Sequence, residues 1–209
     1  MPGKTLRRGL YLITPEQADA ERLLDRVLPV LPFASCLQLR NKTMSAPALR
    51  DAAARLRAAC RVAGVAFIVN DDARLARDVD ADGVHLGEHD GAIRDARELL
   101  GGNAIIGASC YDNLQRARDA VAAGADYIAF GALFLSPTKP RARRASADLL
   151  RASADLRVPR VAIGGITPDN ARSVVATGAD LIAVISGVFD APDPVTAARA
   201  YLSCFDENE

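Results

Sequence analysis

Residues 160–187 read RVAIGGITPDNARSVVATGADLIAVISG and contain one complete strand–helix–strand unit. The apolar run at 160–165 has the length of a strand and ends in a glycine turn. Pro168 suits the first position of a helix, which we predict over residues 168–177. A second apolar run at 181–186 predicts a strand parallel to the first, because the connecting helix carries the chain back along the sheet.

The same alternation extends through the whole chain. Apolar residues recur with helical spacing at 46–63, and further helices are predicted at 72–79, 112–123 and 193–204. Such alternation most naturally closes into a (β/α)8 TIM barrel, an α/β fold, here a single domain over residues 1–209. The alternative is an open doubly wound sheet, whose glycine fingerprint after the first strand is absent. The predicted strands span residues 10–14, 36–40, 66–70, 83–87, 104–109, 126–131, 160–165 and 181–186.

A short motif recurs where a helix ends and a strand begins. It contains Asp82, Asp126 and Asp180, each preceded by alanine. These positions lie at the amino ends of predicted strands, where the residues of a barrel normally serve stability. We therefore expect a structural role for them and no chemistry.

The composition excludes several classes of partner. The chain carries 26 basic and 26 acidic residues, so it has no bulk attraction to nucleic acid or to an anionic membrane. No apolar run approaches the roughly 20 residues of a spanning helix, and no secretory signal is visible. The sequence predicts a cytoplasmic protein that binds small molecules, and it leaves both a monomer and a homo-oligomer open.

Cysteine and lysine usage adds two expectations. The cysteines are Cys36, Cys60, Cys110 and Cys204; their scattered spacing predicts small buried side chains rather than a zinc site or disulfides. Lysine occurs only at positions 4, 42 and 139, and every other cation is arginine. Either codon bias explains this, or the two internal lysines mark sites that need a compact ammonium group.

Polar residues collect at the predicted carboxyl ends of the strands, which build the active site in a barrel. Gln38, Arg40 and Lys42 would share one face if their strand continued that far. An amide and two cations facing inward favour an anion, for which arginine offers a planar fork and lysine a point charge.

Acidic residues follow the next two strands. Asp72 opens a predicted helix and suits an N-cap, whereas Asp71 has no such role. Together with Asp90, on the following loop, Asp71 could hold a magnesium ion, which usually takes one or two carboxylates and phosphate oxygens. The alternative is two solvated loop acids.

Glycines follow the last two predicted strands, at 164–165 and at 187. Backbone amides at these positions form the frequent phosphate pocket of barrels, and glycine allows close approach. His85 would point inward from its strand, either against a ligand ring or as a hydrogen-bonded core histidine.

With these pieces in place, the chain resembles the thiamine phosphate synthase family over nearly its whole length. Each matching piece is modest alone, but eight in order at family-like spacing are highly specific. The pieces are LYLIT at 10–14, QLRNK at 38–42, FIVNDD at 67–72, DGVHLG at 82–87, IGAS at 106–109, GALFLSPTK at 131–139, VAIGGIT at 161–167 and AVISGVF at 183–189.

The resemblance implies a transferase of thiamine biosynthesis that joins hydroxymethylpyrimidine diphosphate to hydroxyethylthiazole phosphate by a dissociative substitution. It implies Mg²⁺ on Asp71 and Asp90, and Arg40, Ser109 and Lys139 as catalytic residues. The implied substrate-binding residues are Gln38, Arg40, Lys42, Asn70, Ser109, Ser136, Thr138, Lys139, Gly165, Ile185 and Ser186.

Three departures from the family pattern stand out. Ser136 replaces a common threonine, Glu88-His89-Asp90 replaces a more usual Gln-Glu-Asp, and the loop at 140–145 is unusually basic. That loop is either a cover for anionic substrates or a solvated surface. Rival functions are a thiazole tautomerase of the same superfamily and a thiamine phosphate-binding regulator without catalysis.

Overall fold

The computed structural model describes residues 6–135 and 143–206. Its eight parallel strands, β1 to β8, form a closed barrel in chain order, with β8 paired to β1. The closure confirms the predicted barrel and excludes the open sheet. The strands are β1 Gly9–Ile13, β2 Ala34–Leu39, β3 Ala66–Asn70, β4 Gly83–Leu86, β5 Ile105–Tyr111, β6 Tyr127–Gly131, β7 Arg160–Ile163 and β8 Leu181–Val184.

Helices cover the outside of the barrel. The longest, α2, begins after Ser45 and ends at Gly64, which takes a left-handed conformation with φ of 68°. Within the described residues the α-helices are α1 Ala20–Val27, α2 Ala46–Ala63, α3 Ala73–Asp78, α4 Ile93–Leu100, α5 Leu114–Ala122, α6 Asp148–Ala152, α7 Pro168–Ala176, α8 Ser186–Phe189 and α9 Pro194–Leu202.

Five predicted strands end earlier than expected: β1, β2 and β4 by one residue, and β7 and β8 by two. β2 stops at Leu39, so Arg40 lies just beyond it. The strand predicted at 181–186 stops at Val184, because Ile185 turns the backbone (φ −120°, ψ −86°) and Ser186 begins the four-residue helix α8. The apolar run continues through Val188 and Phe189, so hydrophobicity alone does not reveal this turn.

The hydrophobic core has two layers, as strand alternation requires. One set of side chains points into the barrel and includes Tyr11, Cys36, Ile68, Tyr127 and Leu181. The other set points outward from the strands and packs against the helices. The interior of the barrel is therefore filled with side chains.

The recurring aspartates fasten the amino ends of neighbouring strands. In each case the aspartate Oδ2 accepts a backbone N–H from the preceding strand. Asp82 accepts from Phe67 at 2.9 Å, Asp126 from Ile106 at 2.7 Å, and Asp180 from Arg160 at 2.9 Å. An arginine pairs with each carboxylate: Arg57 at 3.6 Å, Arg97 at 2.5 Å and Arg160 at 3.1 Å. The repeat thus has the expected structural role.

The four cysteines are unpaired and buried, as expected. In the part of the chain that the structure describes, no helix is both long enough and apolar enough to cross a bilayer.

Replacing Asp82 tests the structural role of the recurring aspartates. Phe67 is fully buried, so in Asp82→Ala its N–H loses its carboxylate partner, and we expect the free energy of unfolding to fall by about 1–3 kcal/mol. Asp82→Asn, which keeps an acceptor, serves as the matched control and should lose less. Urea denaturation measures both; equal stability of Asp82→Ala and the wild type would contradict the role.

Candidate active site

The predicted site residues in the described ranges all lie at the carboxyl ends of the strands. Gln38 is near the end of β2, Asn70 is the last residue of β3, and Ser109 lies near the end of β5. Ser136, Thr138, Lys139 and positions 140–142 of the basic loop lie outside the described residues.

Gln38 and Asn70 form the amide floor of the site. The Gln38 side chain is buried inside the barrel and donates from Nε2 to Oδ1 of Asn70 at 2.9 Å. This bond joins neighbouring strands, since β2 pairs with β3 in parallel. It leaves further amide donor and acceptor positions for a ligand above.

Arg40 and Lys42 follow β2 as coil, so they do not share a strand face with Gln38. The Arg40 backbone is fixed by Thr14, whose hydroxyl accepts the Arg40 N–H at 2.9 Å and donates to the Arg40 carbonyl at 2.8 Å. Glu16 then holds the pair: it accepts from the Arg40 guanidinium at 3.0 Å and from the Lys42 backbone N–H at 2.9 Å. Glu16 was not predicted, and its position in the sequence carries no signal.

Asp71 and Asp90 are brought together as the sequence predicts. Asp71 takes a left-handed conformation (φ 65°) and donates its N–H to the His85 carbonyl at 2.8 Å. Asp90 is held by the N–H of Gly87 at 2.8 Å, and a Cβ at Gly87 would lie 2.6 Å from Asp90 Oδ2. Asp72 instead caps α3, as expected.

The electrostatics of this pair fit a hard cation. The pKa of the Asp71 carboxyl is raised to about 6, first by burial and then by the hydrogen bond and the charge of Asp90, while Lys42 and Arg40 act in the opposite direction. Two adjoining carboxylates that resist joint ionisation gain from a divalent ion between them. The described residues contain no cluster of three or more histidine, cysteine or acidic ligands, so solvent and substrate oxygens would complete the coordination.

The predicted phosphate pocket has suitable backbone. Gly164 and Gly165 both have positive φ, 100° and 65°, and a Cβ at Gly165 would lie 2.6 Å from the Leu135 carbonyl oxygen. Ser186 begins α8, whose first N–H groups have no partners within the helix. Ile185 is the residue before this helix. These amides can face an anion.

The described end of the basic loop contacts the loop that carries Asp90. The Arg143 guanidinium lies over the Tyr111 ring, 5.5 Å from its centroid, and 3.7 Å from Glu88. Arg116 contacts the same two partners, the Tyr111 ring at 5.6 Å and Glu88 at 3.9 Å. Glu88, a departure from the family pattern, thus pairs with two arginines.

His85 is a hydrogen-bonded core histidine that also reaches the site. Its Nδ1 lies 2.8 Å from the Tyr127 hydroxyl, and its Nε2 lies 2.8 Å from the Ser109 hydroxyl. The sequence reasoning missed Tyr127 and Tyr11, whose hydroxyls are 2.8 Å apart. Their inward positions on the strands were the available signal.

Comparison with known proteins gives matches over nearly the whole chain. A family described as thiamine monophosphate synthase matches residues 10–188. A thiamine-phosphate synthase of Xanthomonas campestris pv. campestris (strain 8004) is 55% identical over 207 residues, 99% of this chain and 100% of that protein. One of Azoarcus sp. (strain BH72) is 55% identical, with coverage of 95% and 97%. The structure of thiamine phosphate pyrophosphorylase from Pyrococcus furiosus has a TM-score of 0.83 at 37% identity, covering 95% of this chain and 96% of that chain.

The carboxylate pair predicts a trade of stability against ion binding. Asp90→Asn keeps an oxygen for the Gly87 N–H but removes the charge that faces Asp71, so without divalent ions we expect a gain of about 0.5–1 kcal/mol in the free energy of unfolding at pH 8. A carboxyl whose pKa is raised by folding costs stability above that pKa. The gain should therefore shrink below about pH 6, where Asp71 is protonated.

Asp72→Asn is the matched control, because asparagine also caps helices and Asp72 is outside the pair. Thermal denaturation with and without Mg²⁺ measures both variants. Mg²⁺ should raise the midpoint of the wild type and of Asp72→Asn, but not of Asp90→Asn. A destabilised Asp90→Asn at pH 8 would contradict the repulsion.

Proposed function

We infer that this chain, which belongs to the thiamine monophosphate synthase family through residues 10–188, is a transferase that joins hydroxymethylpyrimidine diphosphate to hydroxyethylthiazole phosphate. The products are thiamine phosphate and diphosphate. The observation that carries the proposal is the placement of the cations Arg40 and Lys42 near the carboxylate of Asp71, which in turn contacts Asp90. This juxtaposition suits a diphosphate that arrives with a divalent cation.

In this reaction the protein mainly has to stabilise charge and align the two substrates. The aminopyrimidine releases electron density toward its methylene carbon, so the bond to diphosphate can break before the thiazole nitrogen attacks. No general base is required for this order. The protein then contributes by holding the two rings in register and by stabilising the departing anion.

We assign the residues of the rim accordingly. Gln38 and Asn70 bind the pyrimidine diphosphate from below, and Arg40 and Lys42 stabilise charge on its phosphates. Ser109 lies beside the pyrimidine. A magnesium ion held by Asp71 and Asp90 would add positive charge at the leaving diphosphate.

The second phosphate site completes the proposal. Gly165, Ile185 and Ser186 present backbone amides suited to the thiazole phosphate. For Ser136, Thr138 and Lys139, contacts to this phosphate or to the departing diphosphate are proposed from the family resemblance alone. A cytoplasmic location is proposed on the sequence grounds given above, and the unpaired cysteines agree with it.

The rival functions use less of this rim. A thiazole tautomerase would shift a proton on the thiazole phosphate and would need neither the diphosphate-binding cations nor the carboxylate pair. A regulator without catalysis would bind its ligand and form no product. The contact between Asp71 and Asp90, costly without a cation, favours the synthase over both.

Incubation of the purified protein with both phosphorylated heterocycles and Mg²⁺ tests the proposal directly. We expect thiamine phosphate and diphosphate in equal amounts, detected by chromatography and mass spectrometry. The thiazole phosphate alone should remain unchanged. Its isomerisation without the pyrimidine would identify a tautomerase, and binding without product would identify a regulator.

Asp71→Asn tests the carboxylate pair within the reaction. Asparagine tolerates the left-handed backbone of this position, so the fold should persist while kcat/KM falls on the order of 100-fold. Asp72→Asn changes the adjacent carboxylate in the same way and should retain activity, because the helix cap survives. Wild-type rates for Asp71→Asn, or full turnover in a chelator, would remove the metal role.

A further inference from the structure

A chain of hydrogen bonds runs inside the barrel and reaches the site at Ser109. The Tyr11 hydroxyl lies 2.8 Å from the Tyr127 hydroxyl, which lies 2.8 Å from His85 Nδ1. His85 Nε2 lies 2.8 Å from Ser109 Oγ. At the inner end of this chain the buried Cys36 thiol lies near the Tyr11 hydroxyl, and burial raises the pKa of both groups. Only Ser109 belongs to the site proposed above.

The interior is built around this chain. Tyr11 and Tyr127 are 1% and 0% exposed, and their rings meet edge to face with centroids 6.0 Å apart. The Tyr127 ring occupies the space left by Gly107 on β5, where a Cβ would lie 1.9 Å from Tyr127 Cζ. Phenylalanine would fill the same volume without a buried hydroxyl, so packing alone does not account for these phenols.

The imidazole couples the two ends of the chain. Each ring nitrogen of His85 faces one hydroxyl, and the neutral form of the ring has a single N–H, so it donates to one hydroxyl and accepts from the other. If Tyr127 donates to Nδ1, then Nε2–H donates to Ser109, and the Ser109 hydrogen must point elsewhere. If Ser109 donates to Nε2, then Nδ1–H donates to Tyr127. Whether Ser109 donates to His85 or accepts from it thus depends on whether Tyr127 accepts or donates.

The partners favour the outward direction. A phenol is a stronger acid than an aliphatic hydroxyl, so Tyr127 is a better donor to the imidazole than Ser109. At the inner end, sulfur is a weak acceptor, so Tyr11 donates in preference to the Tyr127 oxygen rather than to Cys36. Arg116 fixes the Ser109 backbone by donating to its carbonyl at 2.8 Å, which holds the hydroxyl in place.

We propose that Tyr11, Tyr127 and His85 are positioning residues that make the Ser109 hydroxyl a hydrogen-bond donor toward the substrate. Ser109 then selects a heterocycle that presents an acceptor, a ring nitrogen of the pyrimidine, at this point. This inference rests on the proposed function. It assigns a specificity role to side chains that do not touch the substrate themselves.

The chemistry of the reaction determines the kinetic signature. As diphosphate leaves, positive charge spreads into the pyrimidine and its ring nitrogen becomes a weaker acceptor. A bond from Ser109 to this nitrogen is therefore strongest in the ground state. Loss of this bond should raise KM for the pyrimidine diphosphate and leave kcat within about threefold. An interaction made in the ground state strengthens substrate binding but does not lower the activation barrier from the bound complex.

A double-mutant cycle tests the coupling. We expect Ser109→Ala to raise KM for the pyrimidine diphosphate about tenfold and Tyr127→Phe about fivefold, with KM for the thiazole phosphate unchanged. The double variant should match Ser109→Ala alone, because Tyr127 acts only through Ser109. Multiplicative effects in the double variant would overturn the proposal.

Tyr201→Phe is the matched control for loss of a buried phenol hydroxyl. Its hydroxyl donates to the Ile166 carbonyl at 2.8 Å, outside the chain of hydrogen bonds. It should lower stability as Tyr127→Phe does, without raising KM for the pyrimidine diphosphate. An equal rise of KM in both variants would assign the effect to general destabilisation and overturn the proposal.

Nitrogen-15 NMR of the ligand-free wild type reads the hydrogen-bond direction without any substitution or turnover. The protein has two histidines, so His89→Gln assigns the His85 signals. We expect a protonated Nε2 and an unprotonated Nδ1, and a mixture of the two forms in Tyr127→Phe. A protonated Nδ1 in the wild type would refute the outward direction, whereas absence of thiamine phosphate would refute the proposed function separately.

Discussion

Pairing of β8 with β1 is the constraint on which the rest of the structure depends. It closes a sheet whose strands are all parallel, so every carboxyl end opens on the same rim. Residues distant in the chain become neighbours there, as Gln38 and Asn70 show by their direct bond. The opposite rim carries the aspartate–arginine fastenings, so stability and chemistry occupy different ends of one sheet.

The rim holds charges of both signs that do not cancel fully. The Arg40 guanidinium is paired with Glu16, while the charge of Asp90 raises the pKa of Asp71. Arg40 and Lys42 ease this repulsion only in part, since the pKa of Asp71 stays raised. Under the proposed function, a diphosphate accompanied by a divalent cation would supply both missing charges at once. Either partner alone would leave one group in excess, which favours their binding as a unit.

Much of this arrangement follows from strand and helix periodicity, and the exceptions have identifiable causes. The eight strands and the Asp71–Asp90 contact follow from alternation and from the parallel rule. The ends of β2 and β8 do not: β2 stops at Leu39, before Arg40, and the backbone turn at Ile185 lies within a continuous apolar run. Glu16 was missed for a similar reason: a lone acid in a loop reveals no partner until the loop is placed.

The hydrogen bonds inside the barrel show why such interiors resist prediction from sequence. Tyr127 fits only because Gly107 on the neighbouring strand has no side chain, and their pairing depends on register. Once a phenol is placed in the apolar interior, its hydroxyl needs a partner, because an unpaired one would cost free energy. Tyr11 and His85 supply the partners, and no buried side-chain nitrogen or oxygen within 6–135 and 143–206 is left unsatisfied. Each buried polar group in the interior therefore requires a hydrogen-bond partner on a neighbouring strand. The series of hydrogen bonds ends at the rim with Ser109.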